Sequence, residues 1–194
     1  MEEKESISVN EQRIREITLA YYSIPEVKKA IFKFSENREC IPRYFEGFGK
    51  RPDTFQYESD IIGQVRKGAT SFHCSEELWR DPLELSTEQR EQDFNDLRIG
   101  WDLLLDVDSP YLEYSKIYAQ LLIEALDFNG VKNIGVKYSG NKGFHIIVPW
   151  KAFPKQIYGQ ETRKMFPEFP RLICQYLSSM IQPNLANRIF EQES

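Results

Sequence analysis

Residues 103–114 read LLLDVDSPYLEY, and Ser109-Pro110 stop an apolar run that has just entered Asp106-Val107-Asp108. The run is too short for a lone helix and is read as a strand ending in two carboxylates. Side chains alternate along a strand, so Asp106 and Asp108 are expected on one face. At ~3.3 Å per residue their Cα atoms are about 6–7 Å apart. Two ionised carboxylates so placed repel each other, and burying them is costly unless something compensates. One divalent cation held by both meets that cost, because magnesium commonly takes one or two carboxylates together with water and phosphate oxygens. Leu103 and Leu105 are expected to share that face as its dry floor. A solvated strand end, with Asp108 capping the next helix, is the plainer reading of so short a motif.

The flanking sequence sets the strand in a fold. "YLEYSKIYAQLLIEALDFNG" follows it, with Tyr114, Ile117, Tyr118, Leu121, Leu122 and Ala125 at helical steps and Asn129-Gly130 as a stop. "NIGVKYS" reads as a strand, "GNKG" as a tight turn and "FHIIVPW" as another strand. Residues 101–150 thus run strand, helix, strand, turn, strand. The fold class expected is α/β of the α+β type: a mixed, mainly antiparallel sheet with packed helices. Upstream, "SVNEQRIREITLAYYS" carries a helical stripe with Ser8 or Asn10 as cap, and Pro25 opens a second helix. "IPRYFEGFGKRPDTF" reads as loop or irregular strand, "ESDIIGQVRKG" as a short helix and "ATSFHCSEELW" as strand and turn. "FPEFPRLICQYLSSMI" reads as helix, with residues 167–181 serving as core or interface. One domain over residues 1–194 is expected, with its motif core at 100–150.

Composition bounds the class. Of 194 residues, 41% are hydrophobic and 28% charged, the balance of a globular protein with a sizeable core. No apolar run approaches bilayer length, and the acidic opening MEEKESISVN lacks the apolar centre of a signal peptide. Cys40, Cys74 and Cys174 are far apart and odd in number, which suits neither a disulfide framework nor a zinc site. An intracellular, reduced location without a membrane partner is expected. The net charge of −5 argues against a stand-alone nucleic-acid binder. A local basic segment with Arg38, Arg43, Lys50 and Arg51 nevertheless offers a nucleic-acid contact, a solvated surface being the ordinary alternative.

A second motif, "YSGNKGFHIIV" at residues 138–148, follows the helix. Ser139, Gly140 and Gly143 set bare backbone N–H groups in a turn, a natural cradle for phosphate oxygens. Lys142 adds a point charge at its tip, and His145 supplies a hydrogen bond and a charge close to its titration range. A plain hairpin turn with a packed histidine fits the same residues.

A DxD, a helix of about twenty residues and then S-G-x-x-G-x-H together resemble the catalytic centre of the archaeo-eukaryotic primase superfamily. That superfamily includes the primase small catalytic subunit and the polymerase domain of bacterial end-joining ligases. "YYSIPEV", "RECIPR" and "SFHCSEELWRDPLEL" are similar to further family segments more loosely. The resemblance covers roughly residues 20–150. It implies that Asp106 and Asp108 are catalytic ligands of two Mg²⁺ or Mn²⁺ ions. It implies that Ser139, Gly140, Lys142, Gly143 and His145 hold a nucleoside triphosphate. The implied activity is DNA-directed nucleotidyl transfer, making or extending a primer on a DNA template. The implied partner is a primase large subunit or a second catalytic-half chain. An end-joining repair polymerase, or a non-catalytic nucleotide-binding subunit, are the alternatives. No zinc motif lies in the short gap between the two motifs. The family's third acid is missing: after His145 the acids are Glu161, Glu168, Glu191 and Glu193, with no aspartate. It is expected from a partner chain or from sequence beyond this one.

Overall fold

The computed structural model describes residues 8–193, without the side chains of the last two, so the opening residues 1–7 lie outside it. Within it the chain is mixed α/β, with six α-helices and small antiparallel sheets among the described residues. It divides into two compact units, one running to Leu97 and one starting at Arg98. The motif core lies wholly in the second.

In the first unit Ser8 caps α1 (Val9–Ser23), its hydroxyl accepting from the Glu11 amide at 3.2 Å. Ile24 is extended, as a residue before proline must be, and Pro25 then opens α2 (Pro25–Phe34). β1 (Cys40–Arg43), α3 (Glu58–Arg66), β2 (Ser71–Cys74), β3 (Glu77–Trp79) and α4 (Glu91–Leu97) follow. β1 and β2 pair antiparallel; of the segment read as loop or irregular strand only residues 41–43 lie in β1, and the rest is loop with one isolated bridge between Arg43 and Phe48. Cys40, Phe55 and Ile61 are buried, with Tyr22, Ile31, Phe32 and Phe72 packed around them. Phe72 meets Tyr22 and Phe55 edge-on at 5.2 and 5.1 Å, the arrangement the ring quadrupoles favour.

The second unit holds β4 (Arg98–Trp101), β5 (Leu103–Val107), α5 (Leu112–Phe128), β6 (Gly135–Tyr138), β7 (Phe144–Val148), the short pair β8 (Gln156–Ile157) and β9 (Gln160–Glu161), and α6 (Glu168–Glu193). The strand order is β5-β7-β6, all antiparallel. Leu103, Leu105, Val107, Ile146 and Val148 are all at most 5% exposed and face the helices α5 and α6. Each such side chain contributes about 1.5–3 kcal/mol on burial. From α5 come Ile117, Leu121, Leu122, Ala125 and Leu126; from α6, Leu177 and Ile181. At the start of the unit Trp101 is fully buried, its indole N–H donating to the Thr162 carbonyl at 3.0 Å. Gly100 is obligatory there, since a Cβ would stand 2.4 Å from the Trp150 ring.

The sheet corrects one expectation. Leu103 and Leu105 do not floor the carboxylate face. They differ from Asp106 and Asp108 by an odd number of positions and point to the buried side. Leu104, half-buried, is the leucine beside the carboxylates. α6 also outruns the expected 167–181, passing through Pro183.

Candidate nucleotide and metal site

The site is built on the sheet face away from α5 and α6. β5 ends there because Ser109-Pro110 stop it: the Ser109 hydroxyl accepts from the Tyr111 amide and turns the chain into α5. Asp106 lies directly opposite His145, and His145 directly opposite Lys137. Residues paired in this way project to the same face. Asp106, His145 and Lys137 therefore form a row across three strands. His145 Nε2 is 3.5 Å from Asp106 Oδ1, an ion pair whenever the imidazole is protonated. The Asp106 side chain is 67% exposed and that of His145 28%, so the carboxylate opens to solvent while the ring is fixed by packing.

The glycine turn closes over the end of β5. The Ser139 amide donates to the Gly143 carbonyl at 2.9 Å, and the Tyr138 hydroxyl donates to the Asn141 carbonyl. Gly140 takes φ +98°, a conformation that favours glycine. Gly143 is held for want of space. A Cβ there would lie 2.4 Å from the Val107 carbonyl, 3.1 Å from Ser139 Oγ and 3.3 Å from Asp108 Oδ1. The turn is thus pressed directly against the DxD. Among the described residues the amides of Gly140, Asn141 and Lys142 enter no backbone hydrogen bond. They and the exposed Lys142 leave donors free at the turn.

The donor set suits a hard divalent cation. Asp106 and Asp108 share one solvent-open face, and among the described residues neither is paired with lysine or arginine. Asp106 has His145 beside it, but among the described residues no group of three or more His, Cys, Asp or Glu is placed to hold a metal. Asp102 is buried at the far end of β5, about 13 Å away at ~3.3 Å per residue, and accepts from the Trp150 amide at 2.8 Å. Glu161 is bound to Lys164 at 2.8 Å and Arg163 at 2.7 Å, and these hydrogen bonds, the lysine's first, hold its carboxyl below the ordinary range. Glu168 and Glu191 stand exposed on α6.

The structure thus sets His145 beside Asp106, and Gly143 beside Ser139 and Asp108, with Gly140 and Lys142 in the exposed turn. It adds Lys137, which the sequence reading passed over. The signal was present: a hairpin joining Tyr138 to Phe144 must set Lys137 opposite His145.

The basic segment lies in the first unit and separates into different roles. Arg38 is only 6% exposed. Its guanidinium donates to the carbonyls of Phe34 at 2.8 Å, Ser75 at 2.9 Å and Glu76 at 3.3 Å, and lies 4.4 Å from the Phe34 ring centre. Arg38 is a buried brace and does not offer its charge to a nucleic acid. Arg51 is tied to Glu39, its Nε donating at 2.9 Å. Arg43 lies over the Phe48 ring at 5.0 Å, and Lys50 is exposed. No helix among the described residues is long and apolar enough to cross a membrane.

No known protein family matches the chain. It is similar to Uncharacterized protein MJECS07 of Methanocaldococcus jannaschii, at 28% identity over 122 residues, 62% of this chain. Those residues make up 26% of the other protein, so the chain spans about a quarter of that relative's length.

Proposed function

We propose that this chain carries the nucleotide-and-metal centre of a primase-type nucleotidyltransferase, extending a primer on a DNA template from nucleoside triphosphates. The observation that supports this best is the seating of the glycine turn on the DxD: Gly143 packs on the Val107 carbonyl, with Ser139 Oγ and Asp108 Oδ1 bordering the same space. An ordinary hairpin has no need to press its turn against a carboxylate. Asp106 and Asp108 hold Mg²⁺ or Mn²⁺, which would neutralise phosphate charge and activate a primer 3′-hydroxyl. The free amides at 140–142 and Ser139 receive phosphate oxygens, and His145 and Lys137 offer charge along the row from Asp106. Most of the rate gain in such sites is positioning and electrostatic.

Calorimetric titration of ATP with manganese tests the site. Binding by the wild-type chain, lost in Asp106→Asn, Asp108→Asn, is expected. Equal binding by the double variant refutes the assignment.

A second reading is favoured by the acids. No third carboxylate joins Asp106 and Asp108 among the described residues. In this reading the chain binds nucleotide, and a second catalytic-half chain or a large subunit completes the chemistry. Primer extension separates the two: incorporation by the chain alone supports the first, and metal-dependent binding without incorporation supports the second.

A further inference from the structure

Cys40 and Cys74, 34 positions apart in sequence, are Cα partners across β1 and β2. The backbone shows which kind of pair they form. The Ser75 amide donates to the Glu39 carbonyl at 2.9 Å, which places the hydrogen-bonded position one step outward, the Glu39 amide donating to the Ser75 hydroxyl at 3.2 Å. The Cys40 amide turns away from β2 and donates to the Asp53 carbonyl at 2.8 Å. Pro42, which has no N–H, occupies the next position of the same class and faces Phe72. Cys40 and Cys74 are thus a non-hydrogen-bonded pair, the closer of the two antiparallel kinds, with Cα atoms about 4.5 Å apart. That separation falls within the ~4.4–6.8 Å range that disulfides span. Neither cysteine is in a disulfide, and their side chains share a hydrogen bond. The sequence reading set these cysteines apart as too distant; the β1–β2 ribbon cancels that distance.

We infer that Cys40 and Cys74 are an oxidisable dithiol that closes to an intrachain disulfide across the β1–β2 ribbon. The oxidant is a low-molecular-weight disulfide. Cys74 is part-exposed and Cys40 fully buried, so Cys74 reacts first. The Cys74 thiolate attacks one sulfur of the small disulfide and expels one small thiolate, leaving a mixed disulfide. Cys40 sulfur then attacks Cys74 sulfur and expels the second. The two protons lost by the protein end on the two small thiols, and the protein gives up two electrons. The Cys40 thiol is held above the ordinary thiol range, by its hydrogen bond to Cys74 first and by burial second, which leaves the first attack to Cys74. Cys174 belongs to α6 in the other unit and is not needed.

The full chain is incubated with oxidised glutathione, unfolded, alkylated and mapped by tryptic mass spectrometry. The expected result is a cross-linked pair of the peptides carrying Cys40 and Cys74, two hydrogens lighter than their sum, with Cys174 alkylated. Cys40→Ser is expected to stop at the glutathione adduct on Cys74, a product that does not depend on full stability of the variant. The unfolding midpoint of the oxidised wild type is expected to rise by several degrees, reversed by dithiothreitol. Full alkylation of both cysteines after exposure, a lasting adduct in the wild type, or a cross-link to Cys174 overturns the inference.

Discussion

Gly143 and Gly140 stand three residues apart in one turn, yet they are glycines for different reasons. Gly143 lacks room, with the Val107 carbonyl 2.4 Å from a Cβ position, whereas Gly140 meets nothing within 4 Å but holds φ +98°. Gly140→Ala is therefore expected to cost about 1–2 kcal/mol through the backbone alone. Gly143→Ala must move the turn off β5, and is expected to cost about 1–3 kcal/mol and to abolish nucleotide binding. Thermal unfolding with calorimetric titration reads both, and undiminished binding by Gly143→Ala would remove the main support for the site. Lys137 offers a finer test. Lys137→Gln is expected to weaken ATP binding by about tenfold, a loss of ~1.4 kcal/mol in keeping with one charge-assisted hydrogen bond, and to leave AMP binding unchanged. Much of this site was legible in the sequence: the alternation of β5 pairs Asp106 with Asp108, and the glycines announce the turn. The contact between turn and DxD was not, because it depends on which strands neighbour each other. That β7 inserts between β5 and β6 is decided by long-range packing.

The strand β5 is read correctly as an element and wrongly as a pair of faces. Its ends were legible from Ser109-Pro110, and α5 from its helical stripe. The face could be counted from the aspartates: Leu104 stands two positions from Asp106, whereas Leu103 and Leu105 stand an odd number away. Packing agrees with that count: Leu105 is 5% exposed and Leu104 is half-buried. Leu105→Ala is expected to destabilise by about 2–5 kcal/mol, the range for a core leucine that leaves a cavity. Leu104→Ala is expected to cost markedly less and to disturb nucleotide binding more. Denaturant unfolding of the two variants checks this; equal losses of stability would mean that the faces are not distinct. The cysteine pair, by contrast, was not legible. Cys40 and Cys74 belong to different strands, and one register step would carry them to different faces.

At the scale of the whole molecule, the acidic total has to be set against a nucleic-acid partner. The net charge of −5 gives no general attraction for a polyanion, so any grip must be local. The four basic residues first grouped together are not equivalent. Arg38 is consumed by three backbone carbonyls, and Arg51 is paired with Glu39. Arg43 and Lys50 are left to carry a phosphate contact, Arg43 braced by Phe48 and Lys50 exposed. Counterion release turns this into a measurable slope. Each phosphate neutralised on a single strand contributes about −0.7 to the dependence of log K on log salt. Arg43→Ala, Lys50→Ala together are therefore expected to flatten the slope by roughly 1.4, twice that single contribution. Fluorescence anisotropy with a labelled single-stranded oligonucleotide across a salt series measures it. Arg38→Ala should behave in the opposite way. Removing a buried guanidinium leaves carbonyls without donors and is expected to cost about 2–4 kcal/mol of stability, with the salt slope unchanged. A flattened slope in Arg38→Ala, or an unchanged one in the double variant, would move the nucleic-acid contact away from this segment and toward a partner chain.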